Sequence, residues 1–326
     1  MSNLEKEPVE IVETSTPAIV GGVEILEPRE VPLGGPRAMP VRRTLPQRHR
    51  SLIGAWCFVD HYGPTARGDG PGMVVPPHPH TGLQTVSWLF SGEIEHRDSV
   101  GSHALVRPGE LNLMTAGSGI AHSEVSTGTA TITHGAQLWV ALPEAARHGS
   151  PFFENFVPQP IAIGAATARV FIGSLGGSES TARVFSELVG AQLDVPAGAT
   201  VVIPVDSRFE HGVLLDTGQL SVEGVAVPLS HLAYLPTGAH EITVTAGDRD
   251  ARLLLIGGVP LGERIVMWWN FIGRSHEEIV QFRAQWQADV IDHDRDDGRF
   301  GLVSGYDGRA LPAPELPRNV RLTPRG

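Results

Sequence analysis

Two short pairs of side chains stand out as residues whose types and spacing could do chemistry. His78 and His80 lie in "VVPPHPH", and His122 and Glu124 lie in "AGSGIAHSEVS". Proline favours extended backbone around itself, and residues two apart in a strand project to the same face. If the two segments are neighbouring antiparallel strands of a small barrel, three imidazoles and one carboxylate surround one point.

This donor set suits a divalent iron, manganese, nickel, copper or zinc ion, and it is too rich in nitrogen for calcium or magnesium. Four protein ligands on one side of an ion leave positions open for substrate, water or dioxygen, unlike a closed structural zinc site. The alternative is a structural role for these side chains, since a single His-x-His is common by chance.

Composition narrows the class of protein. The chain has 326 residues, 41% of them hydrophobic, and a formal net charge of −11, which argues against nucleic acid as a direct partner. Its one cysteine, Cys57, excludes an internal disulfide and fits a reducing compartment. Neither a signal-peptide core nor a run of membrane-spanning length is evident, so we expect a cytoplasmic protein without a membrane partner.

Turn residues punctuate most of the chain, with 38 glycines and 26 prolines between short runs such as "TVSWLF" and "EIEHRDS". Short strand-like runs separated at close spacing by turn residues are typical of a β-sandwich or barrel. A second block repeats this pattern of short strands and turns: "LDTGQLSVEG" resembles "LFSGEIEHRDS", and "VPLSHLAYLPTGAH" resembles "RPGELNLMTAGSG". We therefore expect a duplicated all-β unit.

The pattern changes period at residues 275–291, "SHEEIVQFRAQWQADVI". Ser275 is a suitable N-cap, and an apolar stripe recurs at helical spacing. The stripe consists of Ile279, Phe282, Trp286 and Val290. This pattern predicts a helix, followed by a proline-rich tail without regular structure.

The segment "HPHTGLQTVSWLFSGEIEHRDSVGSHALVRPGELNLMTAGSGIAHSE" resembles the signature of the pirin family, which are bicupin proteins of the cupin superfamily. "LIGAWCFVDHYGP", "GAQLWVALP" and "LLLIGGVPLGERIVMWWNFI" also fit the family pattern, so the resemblance covers roughly residues 22–290. It implies an all-β fold of two tandem cupin barrels of jelly-roll type, with a short C-terminal helix and an extended tail.

These observations predict four regions. Residues 1–21 form a flexible acidic arm, 22–155 a metal-binding N-terminal barrel, 156–262 a second barrel without metal, and 263–326 a helix and tail that pack back on the barrels. The second block has only the separate histidines His211, His231 and His240. One metal per chain, most often iron in this family, is therefore expected in the first barrel.

Matching by residue, the family's ligands fall on the same four side chains: His78, His80, His122 and Glu124. The general cupin signature has a glutamate where this chain has Gln84, and we expect Gln84 to hydrogen-bond an imidazole. Of the other candidates, His61, His96 and Asp98 are expected to be structural. Trp56, Phe58, Met73 and Trp88 are expected in the core, and "MWWNFI" in packing between the barrels or onto the helix.

The resemblance implies a quercetin 2,3-dioxygenase type of activity on a small aromatic substrate with O2. Glu124 is then both a metal ligand and the candidate catalytic base. The rival from a different class is a non-enzymatic redox-sensing regulator that acts through a protein partner. A third interpretation is a bicupin with promiscuous activity and an unrelated physiological substrate. An intact metal site is expected under each of these hypotheses.

Overall fold

The computed structural model describes residues 19–33, 39–66, 72–128 and 132–326, so most of the arm expected over residues 1–21 lies outside the described residues. The strands up to the middle of the chain are β1 (Ile19–Val20), β2 (Val23–Leu26), β3 (Arg29–Leu33), β4 (Met39–Leu45), β5 (Trp56–Ala66), β6 (Val74–His80), β7 (Leu83–Ser91), β8 (Ile94–Asp98), β9 (His103–Val106), β10 (Leu111–Thr115), β11 (Ile120–Ser126), β12 (Ile132–Ala141) and β13 (Phe152–Phe156).

The strands of the second half are β14 (Pro160–Ile163), β15 (Ala166–Ile172), β16 (Ser174–Leu175), β17 (Ser178–Glu179), β18 (Leu188–Val195), β19 (Thr200–Pro204), β20 (Glu210–Thr217), β21 (Leu220–Val222), β22 (Val225–Val227), β23 (Leu232–Leu235), β24 (Glu241–Ala246), β25 (Ala251–Gly258), β26 (Val266–Trp268) and β27 (Phe271–Gly273). A helix, α1 (His276–Trp286), follows and continues as a π-helical turn, Gln287–Ile291.

Each half of the chain is built from a long and a short antiparallel sheet. In the first half the orders are β13-β10-β7-β12-β5-β4-β3 and β6-β11-β8-β9. The second half forms the sheets β1-β2-β23-β20-β25-β18-β15-β14 and β19-β24-β21-β22, the first of which also takes in β1 and β2 from the start of the chain. Two such facing sheets form a jelly roll, so the predicted all-β fold of two tandem cupin barrels is confirmed.

The two barrels repeat one topology. Strand β7 occupies the place of β20, β10 that of β23, β12 that of β25, and the short sheets have matching orders. The echoing segments "LFSGEIEHRDS" and "LDTGQLSVEG" cover the end of β7 with β8, and the end of β20 with β21. The echoes in the sequence thus correspond to equivalent places in the fold.

One predicted boundary needs correction. The first barrel was predicted to begin at residue 22. In the structure β2 pairs with β23 and so extends the long sheet of the second barrel. A strand of four residues carries too little pattern to select one of two sheet edges. The remaining boundaries stay predictions.

A shared core joins the barrels. Trp88 of the first barrel stacks on Phe171 of the second at 4.6 Å between ring centroids, and its Nε1 donates to Gln192 Oε1 at 2.9 Å. Trp56 Nε1 donates to the carbonyl of Gly257 at 3.0 Å. The indole N–H groups of Trp56 and Trp88 thus each have a partner in the other barrel, which fixes how the barrels dock.

The C-terminal helix begins and faces the core as its sequence pattern predicts. The Ser275 hydroxyl accepts a hydrogen bond from the Glu278 amide, and the four stripe residues are buried. These are Ile279, Phe282, Trp286 and Val290. Within the described part of the chain, neither helical segment is long and apolar enough to cross a membrane.

Candidate metal centre

The two histidine-containing strands are direct neighbours. β6 and β11 pair antiparallel, with His122 opposite His78 and Ile120 opposite His80. The register shifts between His122 and Glu124, because β6 carries one extra residue before His78. The short sheet thus brings the side chains of both strands to the inside of the first barrel.

Three imidazoles converge there. His80 Nε2 and His122 Nε2 are 3.1 Å apart, and the His78 ring centroid lies 4.4 Å from that of His122 and 5.0 Å from that of His80. One ligand nitrogen from each ring lies within 4.8 Å of the other two, and all three residues are buried. The spacing fits nitrogen atoms that share a metal ion as ligands.

The protonation of these rings suits the same role. Burial lowers the pKa of His78 to about 4 and those of His80 and His122 well below the usual value, and the neighbouring histidines add to the effect. His78 Nδ1 lies 2.8 Å from the Pro76 carbonyl, to which it can donate, so its Nε2 keeps a lone pair for an ion. Neutral rings with inward lone pairs are what a metal requires, and this donor set fits one.

Glu124 lies at the edge of this group. Its carboxylate falls within 4.8 Å of His122 and His96, and that group does not include His78 or His80. Ser87 Oγ donates to Glu124 Oε1 at 3.0 Å. Burial raises the pKa of Glu124, although His96 and the Ser87 hydrogen bond oppose this. The carboxylate is therefore placed to hold a proton beside the imidazoles as well as to ligate.

His96 lies closer to the three imidazoles than its predicted structural role implies. It lies opposite Glu124 in the β8–β11 register, its Nδ1 is 3.4 Å from His122 Nδ1, and its Nε2 is 3.3 Å from Asp98 Oδ2. Its ring stacks on Phe153 at 4.6 Å. His96 thus joins the buried polar contacts behind His122, as Asp98 does behind His96. Only the pairing register of β8 with β11 would have indicated that His96 lies beside His122.

A small cavity of about 40 Å³ adjoins the imidazoles. It is lined by aromatic, apolar and polar side chains: Phe58, Val75, His78, His80, His122, Glu124, Gln137, Trp139, Trp269, Asn270 and Leu311. Phe58 and Trp139 are stacked at 4.0 Å and form one wall. Of the four residues expected in the core, only Phe58 lines this cavity. Trp56 and Trp88 lie in the shared core, and Met73 lies in a separate apolar cluster.

The C-terminal tail contributes Leu311 to the lining of this cavity. The Leu311 amide donates to the Pro77 carbonyl at 2.8 Å, one residue before His78, and Trp286 Nε1 donates to the Leu311 carbonyl at 2.8 Å. Arg299 Nη1 donates to the Ser118 carbonyl at 2.6 Å. The contacts of Leu311 are not readable from sequence, because nothing local in a proline-rich tail indicates where it packs.

Gln84 does not orient an imidazole. Its Nε2 donates to Thr115 Oγ1 at 2.8 Å and to the Arg183 carbonyl at 2.9 Å. The prediction of a hydrogen bond to a ligand histidine was therefore wrong. At this end of β7 the side chain faces Thr115 of β10, which lies in the long sheet rather than the short one.

A second buried cluster spans the two barrels. Asp216 Oδ1 lies 2.7 Å from His61 Nε2 and 2.6 Å from His134 Nε2, and Asp216 Oδ2 lies 2.5 Å from Arg252 Nε. His61 Nδ1 is 3.0 Å from Ser230 Oγ. Burial alone would raise the pKa of Asp216, but His134, His61 and Arg252 hold it well below its usual value. With the carboxylate already paired to Arg252, we assign this cluster to docking of the barrels.

The single histidines of the second barrel do not come together. Within the described ranges, no group of three potential ligand residues includes His211, His231 or His240. His211 is buried in β20, whereas His231 lies in the turn before β23 and contacts the Leu229 carbonyl.

The chain matches family models and known proteins over most of its length. Its residues 38–140 match the family model for pirin, and residues 190–292 match that for the pirin C-terminal cupin domain. A Pseudomonas aeruginosa protein provisionally named quercetin 2,3-dioxygenase is 41% identical over 293 residues, which is 90% of each chain. A pirin-like protein of Caulobacter vibrioides is 35% identical, covering 84% of this chain and 94% of the relative.

Among solved structures, quercetin 2,3-dioxygenase from Acinetobacter baumannii superposes with a TM-score of 0.85 at 37% identity. The match covers 92% of this chain and 98% of that one. The two matched segments lie one in each cupin barrel, and the histidine-bearing segment falls inside the first. The chain therefore belongs to the pirin family.

Proposed function

We propose that this protein is a metal-dependent dioxygenase of the quercetin 2,3-dioxygenase type, which opens a flavonol-like enolic aromatic with O2. The observation that carries the proposal is the convergence of three neutral, buried imidazoles beside a wall of stacked aromatic rings. The names of the relatives support the same reaction class.

His78, His80 and His122 would hold the ion, with Glu124 as a fourth ligand. We propose iron, and the same donors would also accept manganese, nickel, copper or zinc. Any of these ions would supply positive charge, which lowers the cost of ionising a substrate hydroxyl, and iron would also supply a redox centre for dioxygen.

The protein groups around it have separable roles. Phe58 and Trp139 offer a flat apolar wall for an aromatic ring. Glu124 would take the proton of the enolic hydroxyl, since Ser87 holds one carboxylate oxygen and leaves the other for the substrate. Burial raises the pKa of Glu124 in the metal-free protein, and a bound cation would oppose this shift.

The size of the cavity restricts how a flavonol could bind. A volume of about 40 Å³ accommodates only a few water molecules, whereas sites for flavonol-sized ligands occupy roughly 300–1,000 Å³. A flavonol therefore requires displacement of a lining group, and Leu311 is the lining residue that comes from the tail.

The same small volume favours a second candidate, the redox-sensing regulator. A sensor needs a buried ion that dioxygen can reach, but no room for an organic substrate. In that case the oxidation state of the ion would alter the surface offered to a protein partner. Turnover of an organic substrate distinguishes the two candidates.

The test is oxygen uptake by metal-loaded protein with quercetin, together with ¹⁸O2 labelling of the product. We expect quercetin-dependent uptake, with both labelled atoms in a ring-opened product. Glu124→Gln should lose most of the uptake while His103→Ala, at an exposed position, should keep it. Loaded protein that consumes no oxygen with quercetin would refute the flavonol proposal and favour the sensor.

A further inference from the structure

The second barrel has a cavity that the proposed reaction does not use. It is a groove of about 570 Å³ between the β16–β17 hairpin, the start of β18 and the segment that leads into β20. Its lining mixes apolar and polar side chains, two of them carboxylates, and the residues that matter here are Leu175, Leu188, Phe209, Glu179, Asp206 and His211. The volume lies in the range of small-molecule sites.

The groove occupies a defined place in the duplicated fold. His211 is the second residue of β20 and pairs with Leu235 and Gly257. Gln84 is the second residue of the equivalent strand β7 and pairs with Thr115 and Val140 in the same way. The groove therefore lies at the end of the second barrel that corresponds to the metal-centre end of the first.

His211 contributes an unusual group to this groove. The residue is fully buried, and neither ring nitrogen has a hydrogen-bond partner among the described residues. Burial lowers its pKa to about 4, so the ring is neutral at pH 7 and carries one donor and one acceptor. Buried polar atoms in native proteins nearly always have a partner, so this ring requires one from outside the chain.

The charges around the groove restrict what that partner can be. Glu179 and Asp206 line it, and Asp206 is already paired with Arg208, whose guanidinium also binds Glu187. An anion would meet carboxylates without a free cation to balance them. The apolar part of the lining, formed by Leu175, Leu188 and the ring of Phe209, favours an uncharged aromatic body.

We propose that this groove binds a neutral hydroxylated aromatic molecule whose hydroxyl hydrogen-bonds to the His211 imidazole. The site is separate from the histidine centre of the first barrel and requires no metal. Leu175 and Phe209 contact the aromatic body of the ligand, and the His211 imidazole is the polar group that meets its hydroxyl.

The test uses full-length protein labelled with ¹⁵N at histidine and titrated with 4-ethylphenol. We expect the ring nitrogen signals of His211 to shift and saturate, and 4-ethylbenzoate to bind at least about tenfold more weakly, since its charge must be desolvated beside carboxylates. His211→Leu should lose roughly tenfold in affinity through the missing hydrogen bond. The matched control His231→Leu, outside the groove, should bind as the wild type does.

Two further results keep the proposal falsifiable. Ser178→Trp retains His211 but fills the groove, so it should abolish the shifts while leaving the thermal unfolding transition in place. The proposal is overturned if His211 does not respond up to the solubility limit of 4-ethylphenol, or if only His78, His80 and His122 respond. Equal binding of 4-ethylbenzoate would also overturn it.

Discussion

The two barrels of this protein share a strand order and differ in chemistry. In the first, β6 and β11 bring three imidazoles within 4.8 Å of one another. In the second, the equivalent strands β19 and β24 carry no histidine, and the nearby His211 is a single ring. The comparison shows that the barrel supplies the position for a site, and that side chains on two strands decide whether it can hold a metal.

Removing one histidine from each barrel should produce the largest difference between them. His80→Ala should abolish quercetin-dependent oxygen uptake, because two remaining imidazoles form an incomplete donor set. His211→Ala should leave uptake close to that of the wild type. Oxygen-electrode measurements check both variants, and equal losses in the two would contradict the assignment of chemistry to the first barrel.

The contact between the barrels can be broken at Asp216. Asp216→Asn leaves Arg252 without its partner carboxylate and should lower the free energy of unfolding by roughly 3–5 kcal/mol. The control Asp297→Asn, in an exposed pair with Arg295, should leave the free energy of unfolding nearly unchanged. Urea unfolding measures both, and similar costs would mean that the cluster does not dock the barrels.

The contribution of Asp216 should also depend on pH. Its pKa is lower in the folded protein than in the unfolded chain, so its stabilisation is present above the unfolded value of about 4. That stabilisation is lost as pH falls through the folded value. The unfolding free energies of wild type and Asp216→Asn should therefore converge in acid, and a constant gap down to the acid transition would contradict this.

A smaller effect is expected within the first barrel at Ser87. Ser87→Ala removes the hydrogen bond to Glu124 Oε1 and should reduce kcat/KM for quercetin roughly tenfold, the equivalent of one hydrogen bond of about 1.4 kcal/mol. Metal content should not change, since Ser87 is not among the predicted ligands. Loss of metal in this variant would show that Ser87 supports the ligand set instead.

The smallest effect is expected at the tail. Leu311→Ala enlarges the cavity above the imidazoles and should lower KM for quercetin by a few-fold, with kcat nearly unchanged. Leu316→Ala, which truncates a tail residue outside the cavity lining, is the control. An unchanged KM in Leu311→Ala would mean that this side chain does not limit substrate entry.

The local pattern of the sequence predicts much of this structure. Period-two spacing around Pro79 and in β11 places His78, His80 and His122 on one inner face, because side-chain direction in a strand follows from position alone. The three-to-four spacing of the apolar stripe predicts α1 for the same reason. The family resemblance correctly gives two cupin barrels.

Long-range placement accounts for what the sequence does not predict. His96 reaches His122 only through the β8–β11 register, and Leu311 reaches the cavity across more than two hundred residues of chain. The pairing of β2 with the second barrel is a choice between sheet edges that four residues cannot encode. Each of these depends on tertiary packing, which local periodicity does not report.

The most direct test of the central claim is elemental analysis of protein purified without added metal, alongside His122→Ala. The account predicts about one transition-metal ion per wild-type chain, and close to none in the variant, because His122 is one of the three converging imidazoles, while the group of His61, His134 and Asp216 is already paired with Arg252. A wild-type protein that neither contains metal nor acquires any on reconstitution would contradict the account. So would a His122→Ala variant that retains a full complement.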